Sequence, residues 1–324
     1  MYKRQVLSFR PNVVFPRHKA VAVDWLRHCG VSVAPANICL TNGATAGMTI
    51  ALMSVAGAGG AVGTEAIGHH TLVPLATYLG LKLTALDIDE EGILPDALDA
   101  ACRHDGIRAV FLQPSVIGPT AALMGEGRRA AIAAVARKHD IAIIENDVLG
   151  PLIEDRPPPV AAFAPERTLY VTSFTKTVLP GLRTGYLAVP DRMLSAVVNR
   201  HLVTNWIATP LIAELATRWV ADGTAVELVR WQRQALRQRQ EVVAEMLAGI
   251  PYKAHREGLH LWLPLETPEA EELFVAQARL RGVAVAPGRS FQMGSIRQPA
   301  VRVSVGSTTE AELRTGLKAV SYTH

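Results

Sequence analysis

The sequence predicts an α/β protein: a three-layer αβα sandwich around a mainly parallel sheet, followed by a smaller C-terminal α+β domain. Three observations predict it. Short apolar runs alternate with longer amphipathic stretches through the first two thirds of the chain, the pattern of strands and helices around a parallel sheet. Several runs, such as Ile141-Ala142-Ile143-Ile144, are apolar without alternation, as strands covered on both faces are. After about Thr209 the character changes to polar helices interleaved with short strands.

Taken in order, strands are expected at Ile38–Thr41, Ala61–Glu65, Lys82–Ile88, Arg108–Gln113, Ile141–Glu145, Thr168–Ser173 and Thr184–Val189. Helices are expected over Ala44–Val55, Thr71–Leu79, Pro95–Arg103 and Gly127–His139, and Pro157-Pro158-Pro159 marks a surface loop. From Gly223 to about Leu247 a long helix carries Arg, Gln and Glu on one face and Leu, Val and Met on the other. Strands near Leu259–Leu263, Val283–Ala286 and Ala300–Val305, with helices at Pro268–Leu280 and Glu310–Val320, complete the smaller domain. The expected organisation is an N-terminal arm and helix over 1–34, a large domain over 35–208 and a small domain over 209–324.

Composition narrows the function classes. At 324 residues, 49% hydrophobic and 19% charged, the chain has ordinary globular make-up and material for a large core. The net charge is +4, but the 33 basic residues are scattered and form no nucleic-acid patch. Cys29, Cys39 and Cys102 show no metal-ligand spacing; their odd number argues against a disulfide framework and for a reducing cytoplasm. No apolar stretch reaches the length of a membrane span. Met1-Tyr2-Lys3-Arg4-Gln5 lacks the apolar run of a secretory signal. Those five residues, and Ser321-Tyr322-Thr323-His324, read as remnants on a truncated frame.

The strongest local signal is Ser173-Phe174-Thr175-Lys176-Thr177-Val178-Leu179-Pro180-Gly181-Leu182-Arg183-Thr184-Gly185-Tyr186. A lysine just past a buried strand is costly as an unpaired ammonium. A Schiff base to a carbonyl cofactor resolves that cost, and burial lowers the amine's pKa toward its nucleophilic form. Ser173 and Arg183 bracket Lys176 with a hydroxyl and a fixed cation, as a phosphate monoester needs. A solvent-facing loop would also accept these residues one by one; their joint spacing points to a site.

Four further segments carry chemistry. Ile144-Glu145-Asn146-Asp147 ends an apolar strand, where ligands gather in open α/β folds; a carboxylate there could instead cap the next turn. Thr41-Asn42-Gly43-Ala44-Thr45 closes a strand and opens a helix, with small residues that let backbone N–H groups approach an anion. His69-His70 offers a flat π surface, although a surface turn would read the same; no Asp, Glu or Cys is near enough to favour a metal. Val301-Arg302-Val303-Ser304 places an arginine within an alternating strand. It implies a bidentate anion partner, unless the guanidinium leaves an exposed face.

The segment around Lys176 resembles the S-x-S/T-K…PG-x-R-x-G signature of class I/II aminotransferases, the fold-type I pyridoxal-phosphate enzymes. The resemblance runs from about Phe9 to Val320. It is closest to the aminotransferase-like domain of MocR-type regulators, where that domain follows a winged-helix DNA-binding domain of the GntR class. It implies pyridoxal 5′-phosphate (PLP) as cofactor and Lys176 as its Schiff-base lysine. Ser173 and Arg183, with Gly43, Ala44 and Thr45, are implied to bind the phosphate. Asp147 is implied opposite the pyridine nitrogen, where a carboxylate stabilises the ring proton. His69 falls where an aromatic ring usually stacks on the pyridine, and Arg302 where an arginine grips the substrate α-carboxylate.

The sequence also departs from the family pattern. Gly118, within Pro114-Ser115-Val116-Ile117-Gly118-Pro119-Thr120, stands where many members have an Asn that reaches the PLP phenolic oxygen. Leu149 replaces a tyrosine that often follows the pyridine-binding Asp by two residues, and Phe9 sits near a position where a tyrosine commonly reaches the neighbouring subunit's phosphate. Each lost donor is worth about 1 kcal/mol or more at a buried charged site, so binding is expected and slow catalysis with it. Three functions follow: amino-group transfer between an amino acid and a 2-oxo acid, sensing of an amino compound by a regulator, or an inactive scaffold. The resemblance implies a homodimer, no membrane, and DNA only through a domain absent from this chain.

Overall fold

All seven apolar runs expected before residue 190 pair into one sheet in the computed structural model, which describes residues 16–294 and 297–321. The strands are Ile38–Thr41 (β1), Ala61–Glu65 (β2) and Lys82–Leu86 (β3), then, beyond a short hairpin of Ile88–Asp89 (β4) and Gly92–Ile93 (β5), Ala109–Leu112 (β6), Ala142–Asn146 (β7), Thr168–Ser173 (β8) and Gly185–Ala188 (β9). Their order is β1-β9-β8-β7-β6-β2-β3. Pairing is parallel from β3 to β8, and β9 runs antiparallel to both of its neighbours, so β9 alone is reversed.

Alternation sorts each strand between two helical layers. Phe111, Ile144 and Val171 pack into one apolar cluster with Met48 and Leu52 of Ala44–Val55 and Val197 of Asp191–Asn205. Their neighbours Val110, Leu112 and Ile143 pack into another, with Leu98 of Pro95–His104 and Ile132 of Glu126–Lys138. With both faces covered, β1, β6, β7, β8 and β9 are buried along their whole length. In chain order the helices are Pro16–His28 (α1), Ala44–Val55 (α2), Leu72–Tyr78 (α3), Pro95–His104 (α4), Glu126–Lys138 (α5), Val160–Phe163 (α6), Phe174–Thr177 (α7), Asp191–Asn205 (α8), Pro210–Ala221 (α9), Thr224–Met246 (α10), Pro268–Leu280 (α11) and Glu310–Ser321 (α12).

A second, antiparallel sheet has the order β10-β11-β13-β12, from Lys253–Ala254, His260–Pro264, Ala300–Ser304 and Ala286–Pro287. Val242 and Val243 of α10, Phe274 of α11 and Leu313 and Leu317 of α12 cover it together with Leu261 and Val301. Two strand expectations are corrected. The run Lys82–Ile88 ends at Leu86, and Ile88 turns into the hairpin. The strand expected at Val283–Ala286 is only Ala286–Pro287: the Val283 N–H donates to the Ala278 carbonyl at the end of α11, so it is not free for a ladder. Among the described residues all three cysteines are free thiols, and no helix is long and apolar enough to cross a membrane. Phe9, Met1–Gln5 and residues 322–324 lie outside the described residues; Ser321 closes α12.

Candidate cofactor site

At the C-terminal edge of the parallel strands lies a cavity lined by Ala44, Thr45, His69, Asn146, Ser173 and Lys176, together with Arg183 and apolar side chains. Its anion end is built by the β1–α2 turn. Gly43 is the N-cap of α2 with φ 84°, ψ 177°, a conformation that only glycine adopts without strain. A Cβ there would stand 3.3 Å from Nη2 of Arg183, so the missing side chain makes room for the guanidinium. Ala44 and Thr45, the first residues of the 12-residue α2, line the cavity; at a helix start, unpaired donors and the helix dipole favour an anion. Ser173, the last residue of β8, faces the same space. So does Thr175, whose buried Oγ1 has no hydrogen-bond partner.

Lys176 sits in the single helical turn α7, which Phe174 anchors: its ring lies 4.5 Å from that of Trp25 and 5.6 Å from that of Tyr186. The burial expected of this lysine is corrected: Lys176 is exposed in this structure. Even so, partial enclosure by the cavity, with the Arg302 and Arg183 cations nearby, lowers its pKa. Across the cavity His69 stacks on His70 at 5.0 Å between ring centres. The Thr71 backbone N–H donates to Nδ1 of His69, so that ring nitrogen carries no proton. Burial, with the His70, Lys176 and Arg302 charges beside it, pushes His69 down to about 4, and its ring is neutral at ordinary pH.

Arg302 lies on β13, opposite Trp262 of β11. It is not among the residues that line the cavity, but its cation is near enough to lower Lys176. Its guanidinium stands 5.7 Å above the Phe291 ring, Nη2 lies 3.0 Å from Nδ1 of His260, and Nε is buried without a partner. Burial brings it down to about 10.

The end of β7 differs from expectation. Successive residues of the strand and its extension alternate: Asn146 and Val148 line the cavity, while Glu145 and Asp147 project into the opposite layer. Asp147 is fully buried, and its Oδ2 accepts from Arg156 and from the Tyr170 hydroxyl at 2.8 Å. It does not line the cavity. Asn146 takes its place there, with Oδ1 buried and unpartnered. The tyrosine position two residues on then corresponds to Val148 rather than to Leu149, which is buried in the apolar core. Gly118 contributes its carbonyl to His260 at 2.9 Å, and its neighbour Ile117 lines the cavity.

A lysine amine of lowered pKa, an anion cup and a flat imidazole in one cavity have the complement of a pyridoxal-phosphate site, and comparison decides the family. The chain matches the family described as aminotransferase class I and II over residues 5–320. It belongs to that family. It is 28% identical to the uncharacterized HTH-type transcriptional regulator YdeF of Bacillus subtilis, over 92% of this chain and 65% of that protein. It is 27% identical to the HTH-type pyridoxine biosynthesis transcriptional regulator PdxR of Corynebacterium glutamicum, over 92% of this chain and 65% of the relative. An archaeal alanine:glyoxylate aminotransferase shares the fold with a TM-score of 0.91 at 19% identity, covering 99% of this chain and 83% of its own. The chain thus spans 60% to 65% of the length of the first regulators it matches.

Membership of the aminotransferase family makes pyridoxal 5′-phosphate the cofactor, and the residues present fit it: a reactive amine, an anion cup at a helix start, and orphaned polar atoms on Asn146 and Thr175. Three residues escaped the reading of the sequence. His260 falls in an apolar strand with no motif around it. Thr175 lies inside the lysine signature without a distinctive neighbour. Asn146 was legible from strand parity: Glu145 and Asp147 must share a face, and Asn146 the other.

Proposed function

We propose that this chain binds pyridoxal 5′-phosphate on Lys176 and moves an amino group between an amino acid and a 2-oxo acid. What carries the proposal is the convergence of Lys176, its pKa lowered, with Ser173, Arg183 and the start of α2 on one cavity. The bound cofactor supplies a carbonyl carbon for the amine and a ring that draws electrons from the substrate. Ser173 and Arg183, with the backbone of Gly43, Ala44 and Thr45, hold the phosphate. His69, neutral, covers one face of the ring. Nζ of Lys176 carries the proton from the substrate's Cα. Arg302, oriented by His260, takes the α-carboxylate. The missing donors at Gly118 and Val148 make the reaction slow. A homodimer in the cytoplasm completes this reading.

One observation favours a second reading, the effector-sensing part of a regulator: the chain matches HTH-type regulators over 92% of its own length and 65% of theirs. The same cavity would then hold an amino compound and signal by movement of the small domain, with DNA reached through a segment outside this chain. Loading with the cofactor, borohydride reduction and mass spectrometry should place the adduct on Lys176; Lys176→Ala should remove it, and an unchanged adduct would end both readings. Mixing the loaded protein with a broad set of amino acids then separates them. Accumulation of aminated cofactor supports transfer, and its absence across all donors leaves sensing.

A further inference from the structure

We infer that this chain offers a neutral amide, Asn146, to the ring nitrogen of its cofactor, and that the bound ring is unprotonated there. The inference rests on the cavity being the cofactor site. No carboxylate near the end of β7 lines the cavity. Asp147 is fully buried, with Oδ2 shared between Arg156 and the Tyr170 hydroxyl and Oδ1 without a partner, and it does not line the cavity. Gly150 packs against it so closely that a Cβ there would stand 2.3 Å from Oδ2. Glu145 accepts from the Val160 and Ala161 N–H groups at 2.9 and 2.8 Å. Glu65, on β2, accepts from the Gln113 N–H at 2.6 Å and the Thr64 hydroxyl at 3.3 Å. Among the described residues none of the cavity's lining side chains is acidic.

Asn146 differs in its placement. It is 1% exposed, lines the cavity, and has Oδ1 buried with no partner. Among the described residues its amide makes no hydrogen bond, so either end is free to meet a ligand. The surrounding charge decides which end does. Lys176 and Arg183 line the cavity, and the Arg302 cation stands close by. A ring-nitrogen proton would add a further positive charge with no carboxylate to balance it, and nearby cations disfavour a protonated base by 1 unit of pKa or more, as a rough guide. An amide N–H donated to the bare nitrogen satisfies both groups without adding charge. A ring in that state draws electrons weakly. Exchange of amines at its carbonyl carbon is unaffected, while proton removal from the substrate's Cα slows.

The test is nitrogen-15 NMR of the full chain loaded with cofactor labelled at the ring nitrogen, at neutral pH. The expected signal is that of an unprotonated pyridine, and Asn146→Asp should move it into the protonated range. Asp147→Asn should leave it where it is. A protonated signal in the unaltered protein, or a signal that follows Asp147 rather than Asn146, would overturn the inference. Borohydride trapping on Lys176 in the same sample reports separately on the cofactor site. Trapping with a protonated ring defeats this inference alone, and no trapping defeats it together with the reading it rests on.

Discussion

Nη2 of Arg302 lies 3.0 Å from Nδ1 of His260, and Nε2 of the same imidazole lies 2.9 Å from the Gly118 carbonyl oxygen. A guanidinium can only donate, so Nδ1 accepts and the ring proton sits on Nε2, toward the Gly118 and Pro119 carbonyls. Burial, with the Arg302 cation beside it, pushes His260 down to about 3. The imidazole is therefore neutral and aims Arg302 without adding charge.

Replacing His260 by Leu should leave Arg302 charged but unaimed. Affinity for amino acids should fall about tenfold, roughly the 1.4 kcal/mol of one hydrogen bond to a charged group, with cofactor affinity unchanged. Calorimetric titration checks both. The loss should be the same from about pH 5 to about pH 8, because His260 titrates near 3 and Arg302, brought down to about 10, stays protonated.

Cofactor capture by Lys176 should extend to lower pH than an ordinary lysine allows, since partial burial and then the Arg302 and Arg183 cations lower its pKa. The same penalty makes protonation costly to the cofactor-free fold: it is fully present below the folded-state pKa and fades as pH rises through it. Arg302→Ala removes one of the two cations, so the midpoint of borohydride-trapped adduct against pH should move upward. A midpoint that moved down would contradict the electrostatics.

Gly43→Ala should damage the anion cup twice. At φ 84° an L-side chain costs about 1–2 kcal/mol, and its Cβ would press on Nη2 and Cζ of Arg183 at 3.3 and 3.4 Å. The expected result is a cofactor Kd raised about tenfold, measured by fluorescence quenching, and a lowered thermal midpoint.

Arg156→Met should be destabilising far beyond a surface change. It leaves Asp147, fully buried, with Tyr170 as its remaining partner and withdraws the donor that Arg156 gives to the Cys29 carbonyl. A loss of about 3 kcal/mol is expected, read by urea denaturation, with the lining of the cavity unaltered.

Much of the fold was legible because its strands are buried on both faces and its helices amphipathic; β1, β2 and β8 and helices α2 and α11 fall on their expected bounds. Helices α8 and α9 were not foreseen: Asp191–Asn205 has only a weak apolar stripe, whereas Pro210–Ala221 is amphipathic and its pattern was legible. Lys176 and Arg183, which chemistry makes conspicuous, line the cavity, and Gly43 caps the helix that opens beside it. Asp147 misled because a carboxylate at a strand end suggests a ligand, whereas its actual partner, Arg156, stands nine residues away with no motif joining them. His260 could not be found at all, since only the pairing of β11 with β13 brings it to Arg302.

The reversed strand β9 has a mechanical result. It places Gly185 in register with Thr41, the last residue of β1, and with Ser173 on its other side, so the two chain segments that converge on the anion leave the sheet side by side. A phosphate pocket assembled from free loops must be ordered afresh by every ligand that enters. Here the ladder completes that ordering during folding, and entropy lost at that stage need not be lost again when the cofactor arrives.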